Sequence, residues 1–502
     1  MSSPILPELL ASMLEQSELI RARQDKLAKL KEEGINPYPY SFQRTHFSTQ
    51  ILSDFEKLSA SQEEVRIAGR ILTLRGHGKS LFFHCADGRG KIQIYVKSDV
   101  VGPEKFSLFD LVDLGDFIGV TGKVFKTKTG EITVNASDFT ILAKSLRPLP
   151  EKWHGLQDKE LRYRQRYLDL FSTPGVKEVF IKRAKIIKAL RDYLDARDFT
   201  EVETPVLQPL YGGAFARPFV THHNALDIEL YLRIADELYL KRLIVGSFEK
   251  VYEFCKDFRN EGMDRNHNPE FTMLELYVAY WDYKDIMNLV EDMLSSVALS
   301  ALGTNVITFK QNQIDLTPPW KRISFMDSIR EKIGEDLLDQ DLDTVWKIGT
   351  QLDLRASLIK HKGKIIEAIF EEKVQPNLIA PTFVTDYPRE TSPLAKVHRN
   401  NPLLTERFEL FIGAAEVANA FSELNDPLDQ RKRFEDQMKM KKAGDEEAQV
   451  LDEDYLRAME YGMPPTGGLG IGIDRLVMLF CDQHSIRDVI LFPQMKPETD
   501  QS

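Results

Sequence analysis

The stretch Gly467-Gly468-Leu469-Gly470-Ile471-Gly472-Ile473-Asp474-Arg475 decides how the larger, C-terminal part of this chain is read. Gly468, Gly470 and Gly472 alternate, so a strand through them has one face without side chains, while Leu469, Ile471 and Ile473 fill the other. Glycine weakens a strand, so three in register imply that something flat approaches the backbone closely. An adenine ring meets that requirement. A helix over 476–481 follows and sets Arg475 near its start, beside such a ligand. The dinucleotide pattern GxGxxG is absent, because no glycine stands three positions after Gly472.

Working outward, two hairpins fit the same site. Residues 251–261 read as a strand, 262–269 as a polar loop and 270–279 as the returning strand. Period two sets Asp257, Arg259 and Glu261 on one face, and Phe271, Met273, Glu275 and Tyr277 on one face of the return. Charged residues facing a phenylalanine suit a nucleotide better than a core. The loop adds the polar groups Asp264, Arg265, Asn266, His267 and Asn268. In the second hairpin, 407–425, a two-residue loop at Gly413-Ala414 sets Glu409 diagonally opposite Glu416 on one face. Two carboxylates so placed suit Mg²⁺, a hard cation that takes oxygen ligands and bridges phosphates. In an ideal strand Asn419, Phe421 and Glu423 share a face with one another but not with Glu416. One pocket for all of them requires a bulge or a bend.

Upstream, Phe180, Ala184, Ile187, Leu190 and Leu194 form a helical stripe leading into a strand at 200–204, ended by Pro205. Residues 320–380 read as largely helical, and 147–170 as a linker rich in Arg, Tyr and Pro. The texture changes between 65 and 142, where 65–74, 80–86, 91–96, 117–126 and 131–142 are candidate strands with a helical stretch at 104–112. Five short strands and one interposed helix predict an oligonucleotide-binding (OB-fold) barrel. The whole is therefore an α+β chain. Residues 1–60 form a basic helix and lead-in, 61–145 the barrel, 146–175 a linker, and 176–502 one large α+β domain on an antiparallel sheet flanked by helices.

The 502 residues carry a formal net charge of −11, so binding to phosphates must rest on local patches. One exists: Arg66, Arg70, Arg75, Lys79, Arg89, Lys91 and Lys97 stand against the single acid Asp87, interleaved with Phe82, Phe83 and Tyr95. The N-terminal helix, with Leu14, Ile20, Leu27 and Leu30 among Arg21, Arg23, Lys26, Lys29 and Lys31, reads as docked on its own protein or as an arm touching RNA. No apolar run approaches the roughly 18 residues of a membrane span. The N-terminus lacks the pattern of a secretory signal. Cys85, Cys255 and Cys481 lie far apart and form no CxxC pair, which argues against a zinc site read from cysteine spacing or a disulfide framework and predicts a reducing, cytoplasmic setting.

With these residues in view, the chain resembles the class II aminoacyl-tRNA synthetases, whose three motifs match Phe199–Pro205, the 251–279 hairpin and Gly467–Arg475. The resemblance is closest to the bacterial-type lysyl-tRNA synthetases and covers nearly the whole chain. It is carried by Gly212-Gly-Ala-Phe-Ala-Arg-Pro218, Tyr231-Leu-Arg-Ile-Ala-Asp-Glu-Leu-Tyr-Leu-Lys241, Arg259-Asn-Glu-Gly262, His267-Asn-Pro-Glu-Phe271 and Phe421-Ser-Glu-Leu-Asn-Asp426. Asp236 departs from a common proline, and Ala418 and Ala420 from common glycines.

The resemblance implies ATP-dependent activation of L-lysine and its transfer to tRNA(Lys), by a cytoplasmic homodimer that uses Mg²⁺. It implies Arg259 and Arg475 as catalytic residues, and Glu261, His267, Asn268, Phe271, Glu409, Glu416 and Gly472 with them at ATP. Glu409 and Glu416 also hold the metal. It places Gly213, Glu237, Glu275, Tyr277, Asn419, Phe421, Glu423 and Gly470 at lysine, with Glu275 or Glu423 at the side chain. Arg75, Phe82, Gln93 and Asp138 match anticodon-reading positions. The residue chemistry agrees, since an ammonium needs carboxylates and is costly to bury unpaired. A non-catalytic paralogue would be expected to lose Arg259, Arg475 or the two metal glutamates; a ligase acting on protein lysines would lack the barrel; an aspartate-specific relative would need cations in place of the glutamates.

Overall fold

The computed structural model describes residues 5–149, 156–352, 354, 361–442 and 450–498. The side chain of Leu14 and linker residues 150–155 lie outside them. The chain divides into two units, 1–155 and 156–502.

In the first unit, helix α1 (Ile5–Glu32) precedes five strands: β1 (Val65–His77), β2 (Ser80–Ala86), β3 (Lys91–Lys97), β4 (Phe117–Lys126) and β5 (Ile132–Ala143). They close into a barrel in the order β1-β2-β3-β5-β4. Alternation decides which residues fill it. Ile92, Ile94 and Val96 of β3 point inward with Phe83 and Cys85 of β2, leaving Phe82, His84, Gln93 and Tyr95 on the outer surface. Part of the basic character is internal. Arg23 donates to the carbonyls of Ser145 and Arg147, and Lys26 pairs with Asp113 at 2.8 Å. These two side chains of α1 therefore follow the docked reading. Arg66, Arg70 and Arg89 lie over Phe42, Phe117 and Phe47.

The second unit is built on one eight-stranded sheet. Its elements are α2 (Val176–Asp195), β6 (Thr200–Glu201), α3 (Glu237–Val245), β7 (Lys250–Phe258), β8 (Glu270–Ala279), α4 (Tyr283–Leu302), β9 (Lys321–Ser324), β10 (Thr382–Thr385), β11 (Arg407–Ile412), β12 (Ala415–Ser422), β13 (Thr466–Gly472) and α5 (Ile473–Phe480). The strand order is β9-β10-β11-β12-β13-β8-β7-β6, antiparallel except at the two outermost pairs. One face packs on α2, α4 and α5 through Leu274, Leu276, Leu469, Ile471, Ala418 and Ala420. The opposite face carries the site.

Four expectations need correction. The buried stripe of α2 runs through Ile186, Ala189, Leu190, Tyr193 and Leu194, because α4 packs there; Ala184 is exposed and Phe180 and Ile187 are half-buried. The strand expected at 200–204 is only two residues long. Ile473 opens α5 instead of ending the glycine strand, so Gly472 is the residue before the helix. Within the expected linker, Lys159–Arg164 and Arg166–Ser172 are helices, and buried Arg166 ties them down through Asp169 and the carbonyls of Arg487 and Leu491. The 320–380 region holds three helices, Phe325–Ile333, Leu342–Gln351 and Lys362–Lys373, with β9 before them. Residues 353 and 355–360 of that region lie outside the described residues.

Candidate active site

Register sets the site. One row of facing residues crosses five strands: Glu253 of β7, Glu275 of β8, Gly470 of β13, Asn419 of β12 and Glu409 of β11. The next row is Val251, Tyr277, Gly468, Phe421 and Arg407. These rows floor a cavity of about 350 Å³. Of the residues expected at ATP and lysine, every one except Glu409 lines it.

The bulge required by the 407–425 hairpin is present. Leu410 faces Ala418 but Phe411 faces Glu416, so Val417 is one residue extra on β12. Val417 and Ala418 both enter the core, which returns Glu416 to the face shared by Asn419 and Phe421. The turn has Gly413 at φ 63° and Ala414 at φ 63°, and Ile412 pairs with Ala415, so the loop is the expected two residues.

The glycines serve a different purpose from the one their alternation suggests. A Cβ on Gly468 would sit 1.9 Å from Glu423 Oε1 and 2.6 Å from Tyr277, and one on Gly470 would sit 2.7 Å from Glu275 Oε1. Two of the three therefore make room for this chain's own side chains. At Gly472 the nearest atoms are 3.7 Å away, on Arg475, so this position alone keeps a bare surface for a flat ligand.

At the end where ATP is expected, Arg259 lies over the Phe271 ring with its carbon 5.0 Å from the centroid, just beyond the end of β7. Its Nε is buried without a hydrogen-bond partner. A buried, orphaned guanidinium nitrogen suits an anion, since leaving it unpaired is costly. Arg475 donates to Glu416 Oε2 at 3.1 Å and lies 3.4 Å from His267 Nε2. Asp264 holds the other nitrogen of His267 at 2.9 Å. Asn268 is partly committed to the protein: its Nδ2 donates to the Glu270 carbonyl and its Oδ1 accepts from the amide of Gln494, which leaves one N–H of Nδ2 at the cavity it lines. Glu261 is exposed at the rim.

Glu409 accepts from Tyr387 at 2.9 Å and from Arg407 at 2.6 Å, and lies behind the lining. Burial and the charge of Glu416 push its carboxyl up to about 7. A divalent cation on these two glutamates would relieve that repulsion, so the donor set fits Mg²⁺.

At the other end lie Glu237, Glu275 and Glu423, all buried. Sequence reading missed their internal partner. Lys241, fully buried on α3, forms ion pairs with both Glu237 and Glu423. Burial alone would lower its ammonium, yet the two glutamates raise it above its usual range, so it stays charged. Glu275 has no such cation. Tyr277 donates to it at 3.1 Å, and burial together with Asp236 and Glu237 drives its carboxyl well above the usual range. Three carboxyl groups thus share one ion-paired ammonium, and a further cation placed beside Glu275 would favour its ionised form. Arg407 was also missed. It donates to Asn419 and Glu409, tying the two ends together. The spacing Glu237-x₃-Lys241 is a signal for the first; nothing in the sequence singles out the second.

On the barrel, Arg75, Phe82 and Tyr95 are neighbours across β1, β2 and β3, and Phe82 stacks on Tyr95 at 4.6 Å. Gln93 donates to Glu131 at 2.7 Å and accepts from Thr133. Asp138 lies further along β5 and is paired with Lys105. The acid beside Gln93 is therefore Glu131, held also by His84.

The family model described as tRNA synthetases class II (D, K and N) matches residues 158–496, and that described as OB-fold nucleic acid binding domain matches 65–142. An OB barrel with such a sheet is the architecture of class II tRNA synthetases. The lysine–tRNA ligase of Pelotomaculum thermopropionicum is 58% identical over 486 residues, covering 96% of this chain and 95% of that protein. That of Carboxydothermus hydrogenoformans is 57% identical over 484 residues, covering 96% and 99%. That of Bacillus subtilis is 53% identical over 488 residues, covering 96% and 98%. The chain belongs to the lysine–tRNA ligase family of the class II tRNA synthetases.

Proposed function

We propose that the chain activates L-lysine with ATP to lysyl-adenylate and transfers lysine to tRNA(Lys), releasing pyrophosphate and then AMP. The observation that carries this reading is the charge of the inner pocket. Glu237, Glu275 and Glu423 share one ion-paired cation, Lys241, which leaves carboxyl groups for a substrate with two ammonium groups, whose arrival would favour the ionised form of Glu275. The glutamates with Tyr277, Asn419, Phe421, Gly213 and Gly470 receive the amino acid. Its carboxylate then faces Arg259.

That carboxylate is ionised at neutral pH, so attack on the α-phosphorus needs no general base. Catalysis is positioning plus stabilisation of charge. Arg259, with its orphaned Nε, takes the α-phosphate, and Phe271 under it stacks on adenine beside Gly472. Arg475 and His267 hold the outer phosphates, and Glu261 contacts the nucleoside at the rim. Glu409 and Glu416 would hold Mg²⁺, which supplies charge neutralisation on the phosphates. Arg75, Phe82, Gln93 and Glu131 read unpaired anticodon bases by stacking and edge contacts.

The active form is a homodimer, supported by apolar side chains exposed on one protomer, among them Ile181 at 46% and Tyr167 at 60%. No described helix is long and apolar enough to cross a membrane. Cys85, Cys255 and Cys481 are free thiols, which supports the cytoplasm. ATP–pyrophosphate exchange with each amino acid in turn, followed by tRNA charging, tests the reading. Exchange with lysine alone and charging of tRNA(Lys) are expected; exchange driven better by aspartate or asparagine would overturn it.

A further inference from the structure

Behind the amino-acid pocket lies a group that the reaction does not use. Asp236 stands immediately before α3, and Cys255 and Asp257 share a face of β7. They are 0%, 1% and 1% exposed. One ligand atom from each lies within 4.8 Å of the other two. Neither carboxylate of the pair has a hydrogen bond on either oxygen. Glu253, Glu275, Arg233 and Arg259 are the adjoining charges, and Arg259 favours the ionised form of Asp257 without a hydrogen bond to it. Arg233 donates to Glu253 at 2.7 Å and approaches Asp257 only to 3.5 Å, so it is spent largely on the former. Arg233 also acts on Asp236, but among the described residues none donates a hydrogen bond to its carboxylate.

Two buried, unpartnered carboxylates beside a thiol form a donor set that takes a cation. Oxygen ligands alone favour Mg²⁺ or Ca²⁺, whereas a thiolate among them selects a softer ion. Bonds of about 2.0–2.3 Å to zinc set tetrahedral ligands roughly 3.3–3.8 Å apart, within reach of this cluster by small side-chain rotations. We propose that Asp236, Cys255 and Asp257 form a structural site for one zinc-like divalent cation. Binding replaces the S–H bond of Cys255 by a metal–sulfur bond, and the proton leaves to solvent. Burial and Asp236 raise the thiol well above its usual range, so that proton is present before the metal arrives. Phe271 and Met273 face Asp257 and Cys255 from the neighbouring strand.

The test uses the full-length protein, stripped with chelator and titrated with Co²⁺. A saturable thiolate-to-cobalt charge-transfer band is expected at one equivalent, displaced by Zn²⁺. Cys255→Ser should remove the band, and Asp236→Asn should weaken Co²⁺ binding at least tenfold. The band separates this site from any Co²⁺ on Glu409 and Glu416, where no sulfur is present. Absence of the band in the wild type overturns the proposal, and this measurement decides alone if a variant fails to fold. A band that survives Cys255→Ser, or an affinity unchanged by Asp236→Asn, overturns it equally.

Discussion

Glu275 and Gly470 face each other across β8 and β13, and a methyl group on Gly470 would lie 2.7 Å from Glu275 Oε1. Backbone register thus fixes where the one pocket glutamate without an internal cation points. Gly470→Ala should push that carboxylate aside. The expected result is a KM for lysine raised about tenfold or more, corresponding to roughly 1.4 kcal/mol, with a smaller change in the KM for ATP. An unchanged lysine KM in pyrophosphate exchange would show that the carboxylate position is unimportant.

Arg259 has a buried nitrogen with no partner in the protein. Arg259→Ala should lower kcat for exchange by about 10²–10³, the usual effect of removing one preorganised donor to developing charge. Some stability should be lost too, because Arg259 also compensates buried Asp257, so the comparison is made on the folded fraction. Exchange at the wild-type rate would exclude Arg259 from the site.

Lys241 neutralises Glu237 and Glu423. Lys241→Met removes one partner of a buried ion network and should cost about 3–5 kcal/mol of stability. Both glutamyl carboxyls lie above their usual range even with Lys241 present, through burial. A group raised on folding contributes stability that is lost as pH rises through its folded pKa. The variant should therefore regain stability relative to wild type as pH falls toward 5. Chemical denaturation of both proteins at pH 5 and pH 8 measures the difference, and equal losses at the two values would contradict it.

Glu409 titrates at about 7, raised by burial and by Glu416. Below that value a proton competes with the metal, so the Mg²⁺ concentration giving half-maximal exchange should rise up to tenfold per pH unit between pH 7 and pH 6. Above pH 8 it should level off. Glu409→Gln should raise the requirement and flatten its pH dependence; a variant as steep as wild type would assign the titration elsewhere.

Phe82 presents a ring backed by Tyr95 on the outer face of the barrel. Phe82→Ala should raise the KM for tRNA by the equivalent of about 1–3 kcal/mol, the range for one stacked base. Lysine-dependent exchange, which needs no tRNA, should be unchanged. Glu131→Ala should also raise the tRNA KM, and Asp138→Ala much less. The reverse order would restore Asp138 to the anticodon surface.

Much of this site is legible in sequence because period two in strands is strict. Glu275 and Tyr277 share a face by count alone, as do Asn419 and Phe421, and the hairpins bring them together. The barrel strands were legible for the same reason, since alternation and turn residues coincide. What stayed hidden depends on distant partners. Lys241 reads as an ordinary i+4 neighbour of Glu237 until Glu423, brought from 182 residues further along, closes over it. The stripe of α2 is displaced because α4 chooses which side to cover. Asp138 and Glu131 are both acids on one strand segment, and only pairing shows which one Gln93 touches.

The extra residue at Val417 has a consequence for chain length. Before it, β12 turns Glu416 into the cavity; after it, the same strand turns Asn419 and Phe421 into the same cavity. A strand that changes step once cannot lose or gain a single position without turning one set of contacts into the core. A change of length along 407–423 would therefore disturb the cavity far more than a replacement of residues.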